Sequence, residues 1–350
     1  MTDLVVAGAG PAGLMTALHA RAAGLDVLVV DPRTGPIDKA CGEGLMPGAL
    51  RSLESLGLDL QRDVPGRQIR GIRYLDGDVH AEAHFRGRPG RGVRRDVLQG
   101  ALARLAAERG IQRVAGRVGD VRQSADSVTA TLHTASGTSA VTADHLVAAD
   151  GLHSPIRQRL GLQLPATGPP RWGLRRHVAV APWTDLVEVH WATGAEVYVT
   201  PVGDDEVSVA VLSGRRASFD EHLTAFPGLA DRLAGANADD VRGAGPLRQR
   251  VKGRVSGRVL LVGDAAGYVD ALTGEGIDIA ARASLRLVQC LVAGRPDDYE
   301  QAWQQVTRRY RWITGSLLAA SRQKPVRRRL VGTAARLPRV FDAAVDQLTR

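Results

Sequence analysis

The sequence predicts an α/β protein: a Rossmann-like domain split into pieces, a β-rich domain inserted between them, and helices at the C-terminal end. Three observations carry this. An apolar run, Leu4 to Ala7, leads straight into Gly8-Ala9-Gly10-Pro11-Ala12-Gly13 and then into a helical pattern. The same strand-then-glycine order returns far along the chain, where Arg258 to Val262 runs into Gly263-Asp264 and a long helix. Between them, Trp172 to Leu212 breaks into short runs of β character with a hairpin turn at Asp204-Asp205.

Each element follows from its residues. Gly8 permits the tight strand-to-helix turn, Gly10 lets backbone approach a pyrophosphate, and Gly13 lets the helix pack close to the strand. The helix opens at Pro11 and Ala12, offers free N–H groups to phosphate, and stops near Ala23 with Gly24. A second apolar strand, Val27 to Val30, ends in Asp31, 18 residues past Gly13. That is close to the spacing of a carboxylate that binds ribose hydroxyls. Glycines at this spacing also make ordinary turns, but here a strand precedes, a helix follows and an acid completes the pattern. The reading is a dinucleotide site, and the fingerprint alone fits FAD and NAD equally.

Arg33 to Pro47 is a Gly- and Pro-rich loop containing Cys41-Gly42-Glu43-Gly44-Leu45. Ala49 to Leu56 reads as a short helix, and Ile69 to Phe85 as two strands about Asp76-Gly77-Asp78. Arg94-Arg95-Asp96 opens a helix that ends near Gly110; Val114, Val118 and Val121 begin a further strand, and Val128 to Leu132 pairs with Ala140 to Val141. His145 to Ala149 is an apolar strand, followed by Asp150-Gly151 and a helix capped at Ser154-Pro155. His153 reads as a loop histidine. The β-rich stretch divides into His177–Val180, Val187–Trp191, Glu196–Thr200 and Glu206–Leu212. After Asp264, Gly274 to Ile277 offers backbone N–H groups at the start of a helix that runs to about Leu291.

Composition narrows the class. At 350 residues, with 44% hydrophobic residues, the chain can bury a sizeable core. No apolar stretch reaches the roughly 18 residues of a membrane span, and the N-terminus enters a strand without a basic leader, so a cytoplasmic protein is expected. Cys41 and Cys290 have no metal-ligand spacing, so no metal is expected. The net charge is +9, and only three of the 46 basic residues are lysines. That arginine bias fits a GC-rich genome. It is also concentrated: Arg308 to Arg350 carries eleven basic residues against Asp342 and Asp346. Such a face suits an acidic carrier protein or a membrane surface. Nucleic acid is not expected, because no recognition motif appears and aromatics are only 4%. The chain is expected to be a monomer or a homodimer.

These motifs resemble the FAD-dependent enzymes that include the single-component aromatic hydroxylases, which are monooxygenases, and the geranylgeranyl reductases. Gly8 to Gly13 resembles the pyrophosphate fingerprint. Asp150-Gly151 resembles the short motif near FAD and NAD(P)H, and Gly263-Asp264 resembles the motif that holds the ribityl chain and flavin. Arg95 resembles the arginine that contacts the cofactor at the start of the middle helix. The likeness covers roughly residues 1 to 295. It implies one non-covalent FAD, with NAD(P)H docking transiently near Asp150 rather than in a domain of its own. The implied cofactor contacts are Gly8, Gly10, Pro11, Ala12, Gly13, Asp31, Arg33, Arg95, Val118, Asp150, Gly263, Asp264, Gly274, Gly276 and Ile277.

Cys41 to Leu45 and Leu272 to Ile277 look more like the reductase branch than like phenol hydroxylases. Tyr198-Val199-Thr200-Pro201 sits where that branch has an aromatic substrate wall, but lacks its tryptophan. Glu43, Tyr198 and Pro201 are therefore the candidate substrate contacts. Halogenation is disfavoured because no two tryptophans are two residues apart. The expected division is 1–70, 94–168 and 252–295 for FAD, 71–93 and 169–251 for a substrate sheet, and 296–350 as C-terminal helices. The first functional reading is a monooxygenase that uses NAD(P)H and O2 to hydroxylate an aromatic or polyketide-like substrate in secondary metabolism. The alternative is a reductase saturating prenyl or other alkenes; a third is a flavin-containing binding protein. Cys41 is the one candidate catalytic residue, either as a proton donor beside the flavin or as a small packing group.

Overall fold

The computed structural model describes residues 2–272, 274–321, 329, 332–336, 341–342 and 345. Chain order begins β1 (Thr2–Ala7), α1 (Pro11–Ala22), β2 (Val27–Asp31), α2 (Pro47–Ser55), β3 (Gly71–Asp76), β4 (Val79–His84) and α3 (Arg95–Glu108). It continues with β5 (Gln112–Gln123), β6 (Val128–Thr134), β7 (Gly137–Ala148), α4 (Pro155–Arg159), β8 (Trp172–Val178), β9 (Leu186–Ala192), β10 (Ala195–Pro201) and β11 (Val207–Ser213). Last come α5 (Phe219–Leu223), α6 (Pro227–Leu233), β12 (Arg242–Ala244), β13 (Val259–Leu261), α7 (Gly276–Val292) and α8 (Asp298–Ser321).

The first layer is a parallel sheet in which β5, β2, β1, β7 and β13 lie side by side. β1, β2 and β13 are short apolar runs because both faces of this sheet are covered. The outer half of β5, β6 and the first half of β7 form an antiparallel meander beside it. Three helices pack together on the sheet. α1 buries Leu14, Met15 and Leu18, about 1.5–3 kcal/mol each. It meets α7 through small residues, where Thr16 Oγ1 donates to Ser284 Oγ at 2.9 Å. Gly24 closes α1 with φ +89° and Gly110 follows α3 with φ +71°, the left-handed stops that the sequence places there.

The second layer is a seven-stranded sheet in the order β12-β8-β11-β10-β9-β3-β4. β3 joins it by pairing parallel to β9, so residues distant in sequence share one surface. The period of two along each strand sorts the two faces. Val197, Val199, Val209 and Val211 pack outward against Phe219, Leu223, Phe226 and Leu229 of the α5–α6 region. A capping box between Ser218 and Glu221 starts α5. Tyr198, Thr200, Ala210 and Leu212 point the other way, into the space between the two sheets.

β8 departs from the sequence reading, which placed a strand at His177–Val180. It runs from Trp172 to Val178 and pairs along its whole length with β11. The strand includes Arg175 and Arg176, two charged residues. Arg175 is fully buried, however, because Asp38 and Asp239 pair its charge.

The helix expected over the C-terminal stretch is present as α8, which lies on α7 and anchors Tyr299 OH to the Leu261 carbonyl at 3.1 Å. Arg322, Lys324, Arg327, Arg328, Arg339 and Arg350, six of the eleven residues of the expected basic face, lie outside the described residues. Arg308, Arg309 and Arg311 are exposed on α8. Among the described residues no helix is long and apolar enough to cross a membrane, and no cluster of metal-ligating side chains occurs.

Candidate functional site

The C-terminal ends of β1, β2, β7 and β13 converge on one edge of the parallel sheet, and the second sheet roofs them. A cavity of about 1050 Å³ lies between. Its floor is the glycine turn after β1. Gly8 has φ +114°, and a Cβ there would lie 2.4 Å from the Ala149 carbonyl. A Cβ on Gly13 would lie 1.9 Å from the Gly8 carbonyl, so Gly13 seats α1 on the turn and does not itself line the cavity. Gly10, Pro11 and Ala12 do line it, and nothing stands within 4 Å of a Cβ built on Gly10. The N-terminus of α1 is therefore open to an anion, with its unpaired N–H groups and positive dipole end exposed to the cavity.

Asp31 sits at the end of β2 with 1% exposure. Its Oδ2 accepts the Ala9 N–H at 2.8 Å, which ties the glycine turn to β2. Arg33 grips the same carboxylate with Nε and Nη2, each at 2.9 Å. Burial pushes the Asp31 carboxyl up, but the Arg33 guanidinium and the N–H donors outweigh it and hold its pKa below the usual value. Both residues line the cavity. Gln99, which sequence reasoning missed, steadies the same turn: its Nε2 donates to the Ala9 carbonyl at 3.0 Å and its Oε1 accepts the Ile37 N–H at 3.1 Å.

The opposite wall joins the two later motifs. Asp150 follows β7, and its Oδ2 accepts the Ile156 N–H at 3.1 Å. Burial raises its pKa. Gly263 follows β13 with φ +61°, and a Cβ there would fall 2.6 Å from the Ala12 Cβ, so glycine is required where the turn meets α1. Asp264 is exposed on the cavity wall. Fully buried Arg157 links the two motifs by donating to the carbonyls of Leu152, Asp264 and Ala265 at 2.7, 3.2 and 3.0 Å. Sequence reasoning gave Arg157 no role; its place at the start of a Ser-Pro-capped helix was the available signal. Gly274, Gly276 and Ile277 line the cavity at the N-terminus of α7, and Val118 lines it beside the irregularity between Val118 and Val121 in β5.

The roof is mostly apolar. Ile72, Tyr74, Val187, Val189 and Leu212 face the cavity. Tyr198 does so as well, and its hydroxyl donates to the Leu272 carbonyl at 3.2 Å. Pro201 is not part of this lining; its carbonyl instead lies where Gly92 passes, 1.7 Å from a Cβ built there. Alternation along β10 puts Pro201 in step with the outward-facing Val197 and Val199, opposite to the cavity-facing Tyr198 and Thr200. Glu43 belongs to the wall, but its carboxylate is buried and engaged: Oε1 accepts the Arg95 N–H at 2.7 Å and Oε2 takes His177 Nε2 at 2.6 Å. Cys41 lines the cavity between the glycine floor and this roof, and its Sγ accepts the Glu43 N–H at 3.4 Å. Burial pushes the Cys41 thiol up, opposed by Arg95 and assisted by Glu43, so it stays protonated at neutral pH.

Two side-chain atoms beside the cavity, Arg95 Nε and Asp150 Oδ1, are buried without a partner. A buried polar atom with no partner is costly unless a ligand or water completes it. Together with a floor that excludes Cβ atoms and two helix N-termini, these features fit a dinucleotide. Residues 1–294 match the family described as FAD binding domain. The chain belongs to that family. It is 32% identical over 302 residues to menaquinone reductase of Mycobacterium tuberculosis, covering 79% of this chain and 73% of the relative. It is 29% identical over 301 residues to digeranylgeranylglycerophospholipid reductase 1 of Methanothermobacter thermautotrophicus, with the same two coverages, 79% and 73%. A flavoprotein/dehydrogenase from Cytophaga hutchinsonii has the same fold, with a TM-score of 0.80 at 19% identity over 98% of this chain and 96% of that one. The protein is thus a member of an FAD-dependent oxidoreductase family. Gly8, Gly10, Pro11, Asp31, Arg95, Asp150, Asp264 and Ile277 line the cavity and would hold FAD, which when reduced would supply either a hydride or activation of O2.

Proposed function

We propose that this protein is an FAD-dependent reductase that saturates a carbon–carbon double bond of an isoprenoid-type substrate, with NAD(P)H as electron donor. The observation that carries the reading is the protonated Cys41 thiol, held on the cavity wall between the FAD cradle and the apolar roof. Saturation adds a hydride to one alkene carbon and a proton to the other. Cys41 Sγ–H gives that proton, and the resulting thiolate recovers one from solvent. A monooxygenase has no such need, because its electron-rich substrate supplies the electron pair for oxygen transfer. Tyr74, Val187, Val189 and Leu212 hold an extended apolar chain and exclude water from it. The names of the two curated relatives denote reductases of isoprenoid-bearing molecules, which supports the same substrate class.

Supplying NAD(P)H and a menaquinone or geranylgeranyl lipid under labelled O2 tests the reading. The product should gain two hydrogens and no labelled oxygen. Cys41→Ser should slow product formation while leaving reduction of the flavin by NAD(P)H intact. Incorporation of labelled oxygen, with equal rates for wild type and Cys41→Ser, refutes the proposal in favour of the monooxygenase.

A further inference from the structure

The segment from Asp38 to Glu43 carries Cys41 past the cavity, and both of its ends are tied to one strand. Asp38 forms ion pairs with Arg175 of β8 and with Arg242. Glu43 accepts His177 Nε2 of β8 at 2.6 Å. Arg175 and His177 are two residues apart on the strand, so they share a face; they are 0% and 2% exposed. Asp239 joins the two anchors. Its Oδ2 accepts from Arg175 Nη1 at 3.1 Å and pairs with His177 Nδ1 at 2.8 Å, and its Oδ1 accepts the His177 backbone N–H at 2.7 Å. Thr200 Oγ1 adds a bond to the Gly42 carbonyl at 2.7 Å. Between the anchors, Lys39, Ala40, Cys41 and Gly42 line the cavity.

Two features separate this arrangement from incidental ion pairing. Glu43 has φ +58°, the positive φ of a non-glycine residue among the described residues. A side chain held there costs free energy and persists only where its surroundings over-determine it. In addition, charges that enter the interior lose hydration, so apolar packing would attach a loop at lower cost. What a network of several charged contacts converging on two buried side chains offers instead is a single arrangement.

We propose that Arg175, His177 and Asp239 form a clamp that fixes the Asp38–Glu43 segment and so positions Cys41 at the cofactor cavity. His177 is its centre: its Nε2 meets Glu43 at 2.6 Å, and its Nδ1 meets both Asp239 Oδ2 and Arg175 Nη1, each at 2.8 Å. The charged groups facing it are Glu43, Asp239 and Arg175. These are positioning residues; no proton or bond of the reaction is assigned to them. The clamp does not depend on which reaction the flavin supports, so its test is independent of the reductase reading.

The test is alkylation of the FAD-loaded protein by iodoacetamide, with Cys41 and Cys290 quantified separately by mass spectrometry. Cys290, on α7, is the internal reference for general loosening. His177→Ala should raise the ratio of the Cys41 rate to the Cys290 rate roughly tenfold, as expected when a local opening loses one charged hydrogen bond. It should also perturb the visible absorption of the flavin. His177→Gln, which can still donate to Glu43, should return the ratio toward wild type. An unchanged ratio in His177→Ala, or an equal rise at both cysteines, overturns the proposal. Asp239→Asn, at the more accessible end of the clamp, gives the same reading if His177→Ala does not fold: a raised ratio supports the clamp and an unchanged one refutes it.

Discussion

Replacing Asp264 with alanine separates flavin binding from folding. The Asp264 side chain is exposed on the cavity wall, whereas its carbonyl is what Arg157 holds. Removing the carboxylate should therefore change the stability of the flavin-free protein by no more than about 0.5 kcal/mol. With FAD bound, a charged hydrogen bond to a sugar-like hydroxyl contributes about 1.5–3 kcal/mol. Its loss should weaken FAD binding by roughly 10- to 150-fold, taking 1.4 kcal/mol per factor of ten. Asp31 provides the contrast. Its carboxylate is 1% exposed and accepts the Ala9 N–H, so Asp31→Ala orphans a donor within the fold. It should cost about 1–3 kcal/mol in flavin-free protein as well as affinity. The assay is a titration of flavin-free protein with FAD, followed by flavin fluorescence, beside thermal melts without FAD. An Asp264→Ala protein that binds FAD as tightly as wild type, or that melts several degrees lower without it, refutes the role given to this carboxylate.

Gly13→Ala places a Cβ 1.9 Å from the Gly8 carbonyl, so α1 must move off the turn. Overpacking of this kind costs about 1–3 kcal/mol, and both the melting temperature and FAD affinity should fall; an unaltered melt would show that the turn is softer than its contacts indicate. His177 makes the stability pH-dependent. Burial pulls its pKa down, but the bonds and charge of Glu43 and the bond to Asp239 raise it above the reference 6.5. The stabilisation from protonated His177 is therefore complete below the unfolded-state pKa and is lost as pH rises through the folded-state value. The stability difference between wild type and His177→Ala should shrink as pH rises above the reference 6.5, as denaturant melts over a pH series would measure. A difference that grows with pH is incompatible with a doubly protonated imidazole between two carboxylates.

Much of the nucleotide-binding half was readable because its signals are local. The turn after β1, the acid ending β2, the Asp-Gly after β7 and the glycines before α7 each need a particular residue within a few positions, and the structure gathers them round one cavity. The paired β runs were readable for the same reason, since alternation and turns are short-range properties. Reading stopped where charge was concerned. The strand was read from His177 and not from Trp172, and nothing nearby in sequence shows that Asp38 and Asp239 neutralise Arg175 within β8. Arg33 was taken as a cofactor contact, and its grip on Asp31 is a rotamer outcome that spacing does not encode. Pro201 follows the cavity-facing Tyr198 and Thr200, yet the two-residue period puts it in step with the outward-facing Val197 and Val199.

The sequence by itself thus determined the fold class, the order of the FAD-site motifs and Cys41 as a candidate beside the cofactor. Those are consequences of residue type and near-neighbour spacing. Only the tertiary structure decided how that cysteine is held. Glu43 and His177 are 134 residues apart, Asp38 and Arg175 137, and His177 and Asp239 62. Their meeting depends on β8 pairing with β11 in one register and on the loop after β2 reaching across to the second sheet. No local periodicity specifies such contacts, because they are selected by the need to pair buried charges after the chain has folded around them.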